Sequence, residues 1–171
     1  MNILVCLRDV CVSRVRKFAA RLQALPLLTF ERCKAIHGQP GFDPAFLERY
    51  IPCVEWEVEY TDEFENWWES LDEGEQESIT FCVLLLEARG PMLAFPFSSG
   101  IEQSRHSHMR ELRIQHAGRP YRVLYAFDPR RVAILLIGGD KTGDDRWYDK
   151  YVPLADKIYD THIDSLTEES N

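Results

Sequence analysis

No apolar run in the 171-residue chain approaches the ~20 residues that a membrane-spanning helix needs. Arg8 and Asp9 interrupt the apolar amino-terminal stretch, and its basic residues follow rather than precede it, which is not the order of a secretory signal. The five cysteines include neither a CxxC pair nor the spacing of Cys/His metal ligands. These absences favour a cytoplasmic protein with reduced thiols, and they predict neither a metal site nor a membrane partner.

A nucleotide-binding loop is also missing. The glycine-rich segment at residues 138–143, GGDKTG, lacks the glycine and lysine spacing of a phosphate-binding loop. We therefore expect no cofactor.

Positive charge is concentrated at the start of the chain. Residues 1–53 hold eight Lys/Arg and four Asp/Glu, a net charge of +4, and since the whole chain is at −8, residues 54–171 carry −12. We expect an extension at residues 1–53, packed loosely, in which residues 14–25 have helical spacing, and a main domain at residues 54–171. No methionine lies between Met1 and Met92, so residues 1–53 could instead be a start-site artefact.

The main domain opens with an alternating strand and two helices. Residues 54–60 place apolar residues on one face and three glutamates on the other, which predicts a strand with one wet face. Residues 62–71 and 75–89 carry apolar residues at helical spacing, and Gly90-Pro91 is typical of a helix end. This order predicts a helical hairpin packed on one face of a sheet.

Three further strands are predicted after the hairpin. They are residues 110–115, 120–128 and 132–137, the last an unbroken apolar run typical of a strand covered on both faces. Residues 95–101 predict a loop or irregular edge, and residues 144–166 predict a helix with a break near Pro153. The result is an α+β fold with a twisted, mostly antiparallel sheet. Its second face must be covered by the carboxy-terminal helix, a partner or the extension.

Cations recur through these otherwise apolar strands and the segment after them. They are Arg110, Arg113, Arg119, Arg122, Lys141 and Arg146. Arg122 lies in mid-strand on the same side as Leu124 and Ala126, where an unpaired charge would be costly, so it either pairs with an acid of the hairpin or serves a site. Glu111, two residues before Arg113, is either a salt-bridge partner or a proton acceptor.

The order of elements and four short motifs carry a resemblance. The second helix ends in ARGPML, and RELR, YRVLY and GGDKT follow before the final helix. Over about residues 54–166 the chain resembles the RelE/ParE superfamily of bacterial toxins, and within it the HigB-like branch related to Gp49-like phage-derived proteins. The resemblance implies a RelE-like fold and the toxin of a type II toxin–antitoxin system. It also implies an mRNA interferase, a metal-independent endoribonuclease that cuts messenger RNA, generally at the ribosome.

Site residues follow from the resemblance. The arginine of the YR step, here Arg122, and the basic residue after the buried strand, here Lys141, belong to the site of the family. Tyr148 stands where the family has a tyrosine that stacks on the RNA base or takes part in proton transfer. HigB-like toxins use histidine chemistry near the place of His106 and His108, and histidine titrates near neutrality.

These considerations give two predicted sets. The catalytic set is Arg122, Lys141, Tyr148, His106 and His108, and the set that binds RNA or phosphate is Arg110, Arg113, Arg119, Arg146 and Trp147.

The partners implied are a helix-turn-helix, HigA-like antitoxin, mRNA and the ribosome, with DNA reached only through the antitoxin complex. Two alternatives stay open: a ParE-like toxin that binds DNA gyrase without cutting nucleic acid, and an inactive relative that only pairs with its antitoxin. A net charge of −12 disfavours general binding of polyanions. RNA would therefore be bound by a local cationic face within residues 105–146.

Overall fold

The computed structural model describes residues 16–17 and 56–169, which form an α+β fold. Its strands are β1 (Arg16–Lys17), β2 (Val58–Tyr60), β3 (Ser98–Gly100), β4 (Arg110–His116), β5 (Arg119–Phe127) and β6 (Ala133–Asp140), and its helices are α1 (Asp62–Trp68), α2 (Glu73–Arg89) and α3 (Trp147–Glu169), with a 3₁₀ turn at Gly90–Met92. The strands form one sheet in the order β1-β2-β6-β5-β4-β3. The β2–β6 pair is parallel and the other pairs are antiparallel. The predicted α+β class, the mostly antiparallel sheet and the carboxy-terminal helix are confirmed.

The starts of α1 and α2 are fixed by side-chain caps. The Thr61 hydroxyl accepts a hydrogen bond from the Phe64 amide and donates one to the Leu136 carbonyl, which ties the start of α1 to β6. Asp72 and Glu75 form a reciprocal capping box, so α2 begins at Glu73, two residues before the predicted start. α1 ends at Trp68, three residues before its predicted end.

Two apolar cores lie on opposite faces of the sheet. Residues of α1 and α2, including Phe64 and Ile79, pack on one face against β4 and β5 side chains such as Leu112 and Val123. On the other face α3 packs through residues such as Val152 on β5 and β6. β6 contributes to both cores, which confirms that this strand is covered on both sides. The second face of the sheet is therefore covered by the carboxy-terminal helix, one of the three covers expected.

Tight turns set the register of the three central strands. Ala117 and Gly118 have φ of 47° and 81° between β4 and β5, as a two-residue hairpin turn requires. This turn places Arg113 opposite Arg122. Between β5 and β6, the Asp128 carboxylate accepts hydrogen bonds from the Arg130 and Val132 amides, as expected for an aspartate that opens a turn.

One prediction about the first strand holds only in part, and one about the last helix is wrong. On the face predicted to be wet, Glu57 is exposed, but Glu59 is buried, and its carboxylate pairs with the Arg130 guanidinium at 2.6 Å. α3 does not break near Pro153, which lies inside the helix.

The amino-terminal predictions are largely outside the described residues. Arg16–Lys17 pair with β2 as a short strand, not as part of the predicted helix at residues 14–25, whose other residues the structure does not describe. The division into an extension at residues 1–53 and a main domain at residues 54–171 stays a prediction. Within the described ranges, none of the helices combines the length and apolar character needed to cross a membrane.

Candidate functional site

A buried carboxylate on β4 is the centre of a polar cluster beneath the start of α3. Glu111 is 2% exposed and alternates along β4 with Leu112, so its side chain leaves the core under α1 and α2 and points to the other face. Its Oε1 atom accepts hydrogen bonds from Arg113 Nη1 and Ser99 Oγ, both at 2.8 Å. Its Oε2 atom accepts one from the Tyr148 hydroxyl at 2.8 Å.

Arg122 is the second charge of this cluster. It is 6% exposed, its Nη1 donates to the Tyr121 carbonyl at 2.8 Å, and its Nε lies 3.6 Å from Glu111 Oε2. Within residues 56–169 that Nε has no hydrogen-bond partner. Glu111 therefore lies between two guanidinium groups, which leaves the three side chains with a net charge of +1, and Arg122 keeps one N–H unused in a buried place.

Tyr148 and Lys141 complete the cluster. The Lys141 ammonium lies 5.3 Å from the centre of the Tyr148 ring, a cation–π contact. The Lys141 amide donates to the Pro120 carbonyl at 2.8 Å, which continues the pairing of β5 with β6 by one residue. We name the set Glu111, Arg113, Arg122, Lys141 and Tyr148 the glutamate cluster.

The glutamate cluster keeps its tyrosine protonated. Burial raises the pKa of Tyr148, the hydrogen bond to Glu111 raises it further, and Arg122 acts in the opposite sense. Because the raised pKa favours the neutral phenol, Tyr148 is a hydrogen-bond donor over the physiological pH range.

Trp147 determines where Tyr148 lies. Its side chain is fully buried and stacks on Tyr151 with ring centres 4.5 Å apart. A Cβ on Gly139 would come within 2.9 Å of the indole Nε1, so only glycine at this position of β6 leaves room for the ring. Trp147 was predicted to contact RNA, and the structure instead places it in the core, where it anchors the first turn of α3.

The predicted histidines lie elsewhere. His106 Nε2 pairs with Asp160 Oδ1 at 2.9 Å, and His108 Nε2 bonds the Tyr159 hydroxyl at 3.0 Å. Tyr159 is eleven residues after Tyr148 on α3, about 16 Å along the helix axis. The structure does not bring either histidine to the glutamate cluster, because both fasten the loop before β4 to the second half of α3.

Three predicted arginines are also outside the cluster. Arg110 faces the opposite core and bonds the Tyr125 hydroxyl at 3.1 Å and the Leu93 carbonyl at 2.9 Å. Arg119 pairs with Glu75 and Asp140 at the end of the β4–β5 hairpin. Arg146 is exposed and lines a shallow depression with Asp144, Asp149 and Lys150. Of the ten predicted residues, the structure therefore brings together Arg113, Arg122, Lys141 and Tyr148.

Two features of the site were not expected from the sequence. Ser99 lies in β3, which the sequence suggested only as a loop or irregular edge, and it bonds Glu111. Phe95 is 76% exposed, and the Arg113 guanidinium lies 5.7 Å from its ring centre. No periodic pattern marks either residue, since both contacts depend on the pairing of β3 with β4.

Across the described part of the chain, no group of three or more His, Cys, Asp or Glu side chains is arranged to hold a metal ion.

Comparisons with known proteins show the family of this chain. The family described as Phage derived protein Gp49-like matches residues 66–160, a span that includes the whole glutamate cluster. A Mycobacterium tuberculosis protein provisionally named toxin HigB3 is 45% identical over 94 residues, covering 54% of this chain and 81% of that protein. A second protein of that organism, provisionally named toxin HigB2, is 33% identical over 141 residues, covering 75% of this chain and 70% of that protein. The chain therefore belongs to the Gp49-like family of phage-derived proteins and is HigB-like, of the RelE/ParE type.

Proposed function

We propose that this chain is the toxin of a type II toxin–antitoxin pair and that it acts as an endoribonuclease on translated mRNA. The observation that carries the proposal is the glutamate cluster, in which two guanidinium groups and a phenol surround one buried carboxylate and an ammonium group lies over the phenol ring. The names of the two relatives support the toxin part of the proposal. The nuclease part rests on the chemistry of the cluster.

RNA can be cut by its own 2′-hydroxyl. The 2′ oxygen loses its proton and attacks the adjacent phosphorus, the bond to the 5′ oxygen breaks, and that oxygen takes up a proton. This reaction needs positive charge on the phosphate, a proton acceptor and a proton donor. Arg113, Arg122 and Lys141 would supply the positive charge without a metal ion. A water molecule would accept the 2′ proton, and the neutral Tyr148 phenol would donate its proton to the leaving oxygen and then regain one from water.

Glu111 would act as a positioning residue in this scheme. Its two oxygens hold Arg113 and Tyr148 at 2.8 Å each, so that the cation and the phenol keep a fixed separation before substrate arrives. The histidines have no part in the scheme, because His106 and His108 are fastened to the far half of α3.

The proposed partners follow from the same function. A ribosome carrying mRNA would present the substrate, which places the action in the cytoplasm, and a helix-turn-helix antitoxin would neutralise the toxin and carry any contact with DNA.

A binding toxin without nuclease activity is the second candidate. It is favoured by the burial of Arg122, whose guanidinium is already bonded to the Tyr121 carbonyl and close to Glu111. A closed network of this kind can also serve only to hold α3 on the sheet. Such a toxin would arrest growth by occupying a target, such as gyrase, and would leave mRNA intact.

Induced expression of the full chain in a bacterial host, with mapping of new mRNA 5′ ends, tests the proposal. Lys141→Ala should remove most cleavage, by about 10²- to 10³-fold if its charge stabilises the transition state. Lys150→Ala is a matched control, because the Lys150 ammonium also lies over a tyrosine of α3, 4.8 Å from the Tyr151 ring centre, but outside the cluster. We expect Lys150→Ala to cut as the wild type does.

The other outcomes have distinct meanings. Growth arrest with unchanged mRNA 5′ ends would replace the nuclease by a binding toxin. Normal growth in both the presence and the absence of the antitoxin would indicate a chain that only pairs with its antitoxin. Cleavage that Lys141→Ala leaves intact would remove Lys141 from the active site.

A further inference from the structure

An exposed aromatic ring lies directly beside the glutamate cluster. Phe95 is 76% exposed, and its ring is in cation–π distance of the Arg113 guanidinium, which also pairs with Glu111. Arg113 is thus the link between the cluster and the ring, and its own side chain remains 32% exposed. A cation and an open aromatic face are therefore contiguous on the surface.

The segment that carries Phe95 is held firmly on both sides. Before it, Leu93 is buried in the core under α1 and α2 and its carbonyl accepts a hydrogen bond from Arg110 at 2.9 Å. After it, the Phe97 carbonyl accepts a hydrogen bond from the Arg113 amide at 2.8 Å, and the Phe97 ring packs edge-on against Phe81. Because the residues on both sides of Phe95 are held in place, the fold keeps its ring exposed to solvent. A ligand that binds the ring would therefore cost little further conformational entropy of the protein.

We propose that Phe95 is a stacking platform for a nucleobase of single-stranded RNA, whose adjacent phosphate is bound by Arg113. Unpaired bases bind to proteins chiefly by stacking on aromatic rings, with cations alongside that contact the backbone. The pairing of ring and guanidinium fits this ligand better than an apolar protein segment, which would have to desolvate the Arg113 charge. The inference deepens the proposed function, because it names how the same site binds its substrate.

A tryptophan at this position would report stacking directly. The experiment uses the full chain with Phe95→Trp and an uncleavable 2′-O-methyl single-stranded RNA oligonucleotide at low salt. We expect the RNA to quench the emission of the added indole, relative to the four native tryptophans measured in the wild type. Inorganic polyphosphate, a polyanion without bases, should bind without quenching it.

Two further variants make the test specific. Phe95→Ala should weaken RNA binding by roughly 5- to 150-fold, the loss found when one aromatic stacking partner is removed, while Phe95→Trp should bind about as well as the wild type. Met92→Trp is the matched control, since Met92 is 81% exposed and lies three residues before Phe95 in the same segment. Its emission should not respond to RNA.

The outcomes separate this inference from the proposed function. Three results would each overturn the stacking site. They are a wild type that fails to bind RNA, indole emission of Phe95→Trp that stays unquenched when RNA is bound, and a Phe95→Ala variant that binds RNA as tightly as the wild type does. If Phe95→Ala instead loses affinity for the antitoxin and keeps its affinity for RNA, the exposed ring belongs to a protein interface and the inference is wrong. RNA stacking on Phe95 in a chain that leaves cellular mRNA intact would keep the inference and remove the nuclease.

Discussion

A buried charged side chain in this protein is stable only because of the charges around it, and Glu111 is the clearest case. Its carboxylate lies in a buried place where an isolated negative charge would be unstable, and so would the guanidinium of Arg122. Each charge is tolerable because the other is present, and because Arg113, Ser99 and Tyr148 occupy the remaining positions on the two carboxylate oxygens. Removing the negative charge should therefore cost stability as well as function.

We predict that Glu111→Gln lowers the free energy of unfolding by roughly 3 kcal/mol, near the lower end of the range for breaking a buried ion pair because Arg113 reaches solvent. Urea unfolding of the two proteins at neutral pH measures this difference. Glu102→Gln, an exposed position before β4, should change it by less than about 0.5 kcal/mol. A Glu111→Gln protein as stable as the wild type would show that the carboxylate is not needed to balance the two arginines.

At the level of elements, two adjacent glycines on β6 let a helix approach each face of the sheet. A Cβ on Gly138 would lie 2.0 Å from the Trp67 ring of α1, and one on Gly139 would lie 2.9 Å from the Trp147 indole of α3. Because successive residues of a strand face opposite sides, the glycine pair provides one contact surface for each tryptophan. These glycines therefore have a packing role, in keeping with their lack of nucleotide-loop spacing.

Gly138→Ala should destabilise the fold by about 1–3 kcal/mol, since the added methyl group must displace the Trp67 ring from a filled site. Gly100→Ala is the control, because a Cβ on this glycine of β3 meets nothing within 4 Å. Thermal unfolding of both variants gives the comparison. Equal melting temperatures for Gly138→Ala and Gly100→Ala would mean that α1 can shift away from the sheet at negligible cost.

The elements were predictable where the signal is local. In the sequence, Glu111 and Arg113 alternate with Leu112, and Arg122 lies on the same side of its strand as Leu124, so part of the cluster was implicit in the sequence. The failures depend on contacts between distant segments. Glu59 is buried because it pairs with Arg130, which lies in a turn 71 residues later. The histidines lie away from the site because hydrogen bonds to Asp160 and Tyr159 hold their loop against α3.

The whole molecule combines an acidic body with a small cationic site. Acids predominate in α1 and at the start of α2, which pack on the face away from the glutamate cluster, while the cluster faces α3. Long-range attraction for a polyanion is therefore weak, and the proposed binding of RNA would have to rely on a few close contacts and on stacking. This organisation suits a substrate that is presented already positioned, as mRNA is on a ribosome.

The salt dependence of RNA binding tests this view of the molecule. For single strands the slope of log K against log salt concentration is about −0.7 for each phosphate neutralised. If Arg113, Arg122 and Lys141 make the phosphate contacts, the slope for a short single-stranded RNA is about −2, and Lys141→Ala reduces its magnitude by about 0.7. Lys157→Ala, at an exposed position on α3, should leave the slope unchanged. Fluorescence anisotropy across a series of salt concentrations measures all three proteins.

A slope several times steeper would assign RNA binding to a wide basic surface, for which the basic residues within 1–53 are the available source. A slope near zero would mean that the cluster binds no phosphate.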